Sequence, residues 1–154
     1  MRLGFFIPPN VFGPGLRINH FGNIVINGGA HIGMWCDIHQ GVNIGSNPSA
    51  EGGNRSPCIG DNCWIGPGVK AFGDIEIGNG VAMGANSVVN RNVPDNVTVA
   101  GVPARVIRNE GTESLDVAAS EQRTKRFLTV YPQFASYMES LRTDRPNREE
   151  NIEP

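Results

Sequence analysis

An apolar residue recurs at a six-residue interval ten times in this chain, and the residue after it is most often glycine or asparagine. One run sets Ile26, Ile32, Ile38 and Ile44 in register, followed by Asn27, Gly33, His39 and Gly45. A second sets Ile59, Ile65, Ala71, Ile77, Met83 and Val89 in register, followed by Gly60, Gly66, Phe72, Gly78, Gly84 and Asn90. An α-helix repeats at about 3.6 residues and a strand at 2, so a period of six needs a short strand and a turn, used again and again. Three such units close one triangular coil. The register residue points into the prism and stacks on its counterpart a coil away, while glycine or asparagine accommodates the backbone of the turn. The expected fold is all-β: a parallel β-helix of hexapeptide repeats.

The remaining composition fits that frame. A chain of 154 residues is one domain, and 39% hydrophobic with only 7% aromatic residues suits a narrow core of Ile, Val and Ala. A formal charge of −2 and a pI near 5.9 offer no basic face for nucleic acid or anionic lipid. No apolar stretch approaches the roughly 18 residues that span a bilayer, and no charged-then-apolar leader opens the chain, so a cytoplasmic protein is expected. Cys36, Cys58 and Cys63 are odd in number and lack paired CxxC spacing, which argues against a disulfide framework and a zinc ribbon. Cys36 and Cys63 each precede a register isoleucine by two places, a slot for small core residues. Cys58 stands one place before Ile59, with no histidine near it in sequence to activate it.

Residues 1–19 read as an entry cap carrying Pro8, Pro9, Pro14 and the apolar Phe5, Phe6, Ile7 and Phe12. The coil occupies 20–110, interrupted by a polar, glycine-rich loop at 46–56 that breaks the six-residue register; a long loop in a compact solenoid points to function. Residues 111–154 form a C-terminal, partly helical tail. There Phe127, Tyr131, Phe134, Met138 and Leu141 follow a 3-4-3-4 spacing that makes one apolar stripe, broken by Pro132.

Three ordered segments, INHFGNIVIN, then GGNRSPCIGDNCWIGPGVKAFGDIEIGNGVAMGANSVV, then VTVAGVPARVI, resemble the hexapeptide-repeat acyltransferases, most closely the serine acetyltransferase branch. The resemblance covers about residues 12 to 108 and implies a left-handed coil, a homotrimer, and transfer of acetyl from acetyl-CoA to a hydroxyl. It makes His20 the counterpart of the family's catalytic histidine. A hydroxyl is a poor nucleophile near neutral pH, and a histidine of pKa about 6.5 can remove its proton. By plain counting His20 lies six residues before Ile26, at the mouth of the first coil. Carried over by position, Pro67, Ala85, Arg91 and Arg105 are the cofactor-binding candidates, with basic side chains meeting the CoA phosphates. Asn19, His39 and Arg55 are the acceptor-binding candidates. No metal is expected, because the histidine spacings of 11 and 8 do not match the zinc-binding spacing of β-helical carbonic anhydrases.

The chain departs from the branch at the acceptor. Asn19 stands where the family has an aspartate, Ser56 where it has a histidine, and Phe5 where it has the aspartate that orients the imidazole. The helical domain ahead of the family's coil has no counterpart in this sequence. Two of these exchanges, Asn19 and Ser56, put neutral groups where a free amino acid needs charged ones and make it a poor fit. The expected acceptor is therefore a sugar hydroxyl, as in the short enzymes of surface polysaccharide biosynthesis. A serine O-acetyltransferase and a non-catalytic β-helix that serves as a structural or binding module are the alternatives.

Overall fold

The computed structural model describes residues 4–48, 55–115 and 120–143. It divides into two units, Met1–Ala119 and Ser120–Pro154. In the first, short strands stack into three faces. Face A stacks Phe5–Phe6, Ile24–Ile26, Asn43–Gly45, Lys70–Phe72 and Val88–Val89, in that order. Face B stacks His31–Ile32, Cys58–Ile59 and Glu76–Ile77. Face C stacks Arg17–Ile18, Asp37–Ile38, Trp64–Ile65, Ala82–Met83 and Thr98–Gly101, and ends on Ala104–Arg108. From Ile24 onward the chain visits A, B and C in rotation. All the pairings are parallel except the last, an antiparallel hairpin.

The register residues form three columns. Ile26, Ile44, Ala71 and Val89 stack on face A. Ile32, Ile59 and Ile77 stack on face B, and Ile18, Ile38, Ile65, Met83 and Val99 on face C. Residues two places earlier, among them Cys36, Val42, Cys63, Val69 and Val81, also point inward and are buried. Two inward side chains per hexapeptide follow from the alternation of a strand, and each large aliphatic contributes roughly 1.5–3 kcal/mol by burial. The Cys63 thiol is held well above its ordinary range, first by its hydrogen bond with Cys36 and then by burial, so it is neutral core filler.

The pairing interval shows what the loop does to the coil. Val25 pairs with Asn43 and Trp64 with Ala82, each 18 residues on. Across the loop, Asn43 pairs with Lys70, Asp37 with Trp64 and His31 with Cys58, each 27 residues on, nine more. All three faces therefore resume in register after the insertion. Residues 49–54 of the 46–56 loop lie outside the described residues.

The structure assigns the repeat's glycines a different task from the expected one. Gly33, Gly60 and Gly78 follow the register residue, yet none has a left-handed backbone. A Cβ on them would lie 2.2 Å from Asp61 Oδ1, 2.6 Å from Asn79 Oδ1 and 2.1 Å from Asp95 Oδ1. Those oxygens accept hydrogen bonds from the backbone N–H groups of Met34, Asp61 and Asn79, at 2.7, 2.8 and 2.7 Å. The glycine leaves space for an Asx side chain of the next coil, which satisfies a turn N–H that would otherwise be orphaned. The left-handed residues stand two places further on: Asn62, Gly80 and Asn96 on one edge, Gly41, Gly68 and Asn86 on another. On the first of these edges Trp35 holds φ 59°, an uncommon conformation for a bulky residue, with its ring filling the space where Gly15 lacks a Cβ.

The coil extends beyond the visible repeat at both ends. Phe5 pairs with Ile24 and Phe12 bridges to Ile32, so residues of the entry segment already belong to the faces. Past Val89, Val93 bridges to Ile77 and Val99 lies opposite Met83, before the hairpin to Ala104–Arg108. In the second unit, helices Ser120–Val130 and Ala135–Thr143 flank a 3₁₀ turn at Pro132–Phe134, so the stripe is divided between two helices. Phe127, Tyr131 and Phe134 cluster with ring centroids 5.3 to 6.4 Å apart, while the Leu141 side chain lies outside those described. No helix among the described residues is long and apolar enough to cross a membrane.

Gly78→Ala is expected to lower stability by roughly 1–3 kcal/mol, because Asp95 must yield. Gly28→Ala, whose Cβ would meet, among the described residues, only Pro8 at 3.9 Å, is expected to change it by less than about 0.5 kcal/mol. Urea unfolding midpoints of the two variants check this.

Candidate active site

His20 lies on the edge where the chain passes from face C to face A. Counting six residues back from Ile26 would make it a register residue pointing into the prism. The pairing overturns that count. Arg17 lies opposite Asp37 and Ile18 opposite Ile38, 20 residues apart, so this corner holds two residues more than the usual 18. Ile18 takes the register position, and His20 is exposed beyond it. Gly22 at φ 144° closes the widened corner, where a Cβ would come within 2.9 Å of Gln40 Cβ. The Asn19 N–H donates to the Ile38 carbonyl at 3.0 Å, which fixes the backbone beside His20.

One coil on, His39 occupies the same edge. Its Nδ1 lies 3.0 Å from the Ile65 carbonyl oxygen. A carbonyl only accepts, so Nδ1 carries the hydrogen, and in the neutral ring Nε2 holds the lone pair. The Trp64 ring packs edge-on against His39 with centroids 4.9 Å apart. Trp64 in turn fills the space over Gly66, where a Cβ would meet its ring at 2.6 Å. The His20 and His39 ring centroids are 6.1 Å apart at 52°. Among the described residues no hydrogen bond reaches the His20 ring.

The first carboxylate in the sequence, Asp37, is 1% exposed and turned to Arg17, whose Nη2 lies 2.5 Å from its Oδ2. Further along the same edge come Pro67 and Ala85. The Gly68 N–H donates to the Gln40 carbonyl at 2.9 Å and the Asn86 N–H to the Pro67 carbonyl at 2.8 Å, so Gln40, Pro67 and Ala85 descend coil by coil from His20. Arg105 lies opposite Ala100 on the closing hairpin, and its guanidinium donates to the Ala104 carbonyl at 2.8 Å.

Two candidates lie elsewhere. Arg55 and Arg91 are on the edge between faces A and B, both exposed, and Arg55 pairs with Asp74 at 2.9 Å. Within one copy of the chain, the structure brings His20, Asn19, His39, Pro67 and Ala85 to one edge and leaves Arg55 and Arg91 on another. His31 opens a face B strand and is exposed. The Lys70 ammonium donates to the Gly41 carbonyl. Among the described residues no group of three His, Cys, Asp or Glu is placed to hold a metal ion.

Sequence reasoning did not find the Arg17–Asp37 pair or the packing of Trp64 on His39. The widened corner hides the first, since Arg17 and Asp37 are 20 apart. The loop hides the second, since 25 residues separate His39 from Trp64. The available signal was an outward slot, one place before the register residue, filled by a charge in one coil and a tryptophan in the next.

Residues 59–91 match the family model described as bacterial transferase hexapeptide (six repeats). The second run of the coil thus resembles the hexapeptide repeats of bacterial transferases. Among curated relatives, the serine acetyltransferase of Synechococcus elongatus is 40% identical over 121 residues, covering 75% of this chain and 49% of its own length. That of Staphylococcus aureus is 40% identical over 104 residues, covering 68% and 48%. Among solved structures, Brucella abortus serine acetyltransferase superposes with a TM-score of 0.60 at 40% identity, over 65% of this chain and 40% of that one. The same enzyme in complex with coenzyme A gives 0.61 at 39% identity, over 65% and 40%. This chain spans about half the length of the curated relatives it matches.

Removing the counter-charge from a buried carboxylate is costly even when the cation is half exposed, as Arg17 is at 47%. Arg17→Met is expected to cost roughly 1–2 kcal/mol after allowance for solvent screening. Chemical denaturation at neutral pH measures it.

Proposed function

We propose that the chain transfers acetyl from acetyl-CoA to a hydroxyl, with His20 as general base. The observation that carries this reading is the edge itself: an exposed histidine at the head of a line of turns formed by His39, Gln40, Pro67 and Ala85. Relatives whose coils match this one are serine acetyltransferases, and one is solved with coenzyme A. In this reading His20 takes the proton from the acceptor O–H as its oxygen attacks the thioester carbon. The tetrahedral intermediate then collapses, the C–S bond breaks, and the departing thiolate takes the proton back from His20. No acyl-enzyme forms, and no co-reactant beyond acetyl-CoA is needed.

The coil winds left-handed in this reading, as the resemblance implies, and the active unit is a homotrimer. The split of the candidates between two edges supports that assembly. A three-fold arrangement in which the His20 edge of one copy faced the Arg55 and Arg91 edge of the next would place basic groups toward both the acceptor and the CoA phosphates. Pro67, Ala85 and Arg105 would lie along the cofactor, and Asn19 and Arg55 at the acceptor.

The relatives favour L-serine as the acceptor over a sugar. One specific observation favours the sugar: Asn19 and Ser56 bring neutral groups where a free amino acid needs charged partners, and Asp37 is engaged by Arg17. Thiol release from acetyl-CoA with L-serine as sole acceptor separates the two. Serine-dependent release is the expected result for the branch the relatives define. Release only with glycosides or nucleotide sugars would assign the sugar. Absence of acetyl-CoA binding by calorimetry would sink both and leave a non-catalytic β-helix.

His20→Ala is expected to lower turnover by about 100-fold or more while acetyl-CoA affinity stays near wild type. Steady-state kinetics with a binding isotherm reads both quantities, and near-wild-type turnover would remove His20 from the mechanism.

A further inference from the structure

A general base works only if one imidazole nitrogen presents a lone pair to the acceptor, and that requires something to hold the hydrogen on the other. The nearest carboxylate in the sequence, Asp37, is already 2.5 Å from the Arg17 guanidinium. Among the described residues no hydrogen bond reaches the His20 ring, and its one ring neighbour is His39. His39 is itself fixed. Its Nδ1–H is committed to the Ile65 carbonyl at 3.0 Å, and Trp64, seated over Gly66, blocks one side of the ring. The neutral ring so held has a single tautomer, with Nε2 as an acceptor and with a half-buried position that limits competing water.

We propose that His39 is the positioning residue for His20: its Nε2 accepts the His20 N–H through one bridging water, and leaves the opposite His20 nitrogen free to take the acceptor proton. A neutral acceptor thus does the orienting work of a carboxylate. His39 acts through His20 and not on the acceptor. The catalytic part of this proposal rests on the acetyl-transfer reading, while the tautomer part does not.

The chain has only three histidines, so each is separately visible by ¹⁵N NMR of histidine-labelled protein, without substrate. The expected spectrum shows His39 as the Nδ1–H tautomer and His20 with one dominant tautomer. His39→Phe is expected to leave His20 with mixed tautomers and to lower kcat by roughly 10-fold or more, part of what a positioned base supplies, with KM for acetyl-CoA unchanged. His39→Gln, whose carboxamide oxygen can accept, is expected to keep the tautomer bias and recover part of kcat. His31→Gln, at an exposed position on another face, is expected to change none of these. An unchanged His20 tautomer ratio in His39→Phe, with the amide fingerprint intact, overturns the proposal, as does finding His39 protonated at Nε2 alone. Acetyl transfer without the tautomer dependence removes the role of His39 and keeps the reaction. The dependence without any thiol release removes the reaction and keeps the pair.

Discussion

Each coil is bound to the last by parallel backbone hydrogen bonds, and those bonds form because glycine lets the next turn come close. Gly33, Gly60 and Gly78 leave space for the side chains of Asp61, Asn79 and Asp95, whose oxygens accept the turn N–H groups. With that contact in place, isoleucine falls on isoleucine, and the buried cluster between the faces is built of Ile, Val, Ala, Cys and Met83. Without it, every face would lose its register together. The three columns, the position of the edges, and so the spacing of everything along the His20 edge follow from this one close approach.

The core was legible in the sequence because its spacing is set by backbone geometry that repeats. All ten register residues fall in the columns their spacing assigns, and Cys36 and Cys63 take the small inward slots. Spacing fails where the chain changes the length of a coil. The widened corner moves His20 out of the inward slot that counting gives it, and the loop separates His39 from its partner Trp64 in sequence while the pairing keeps them adjacent. It also fails where parallel pairing continues without the pattern, as at Phe12 and Val93. The conformational role of glycine was correct for Gly41, Gly68 and Gly80 but not for the glycines that define the repeat. Sequence period reports direction of a side chain, not what the neighbouring coil puts there.

The edges are where such a solenoid can vary. A residue added or exchanged on the C-to-A edge alters chemistry without touching the columns, because the inward slots are fixed two and six residues away. Asn19 is an exchange of this sort, and the Arg17–Asp37 pair occupies an outward slot of face C close to that edge. The proposed acceptor site can therefore diverge from that of the relatives while the line of turns proposed for the cofactor stays the same.

A stack of parallel strands has an open last rung, and an open rung invites another chain to continue it. On face C that rung is Thr98–Gly101, and Ala104–Arg108 folds back on it in the opposite direction. A second coil arriving end-on would meet an antiparallel strand with arginines at 105 and 108, out of step with its own parallel bonding. The hairpin thus works as a terminator of the parallel ladder on that face.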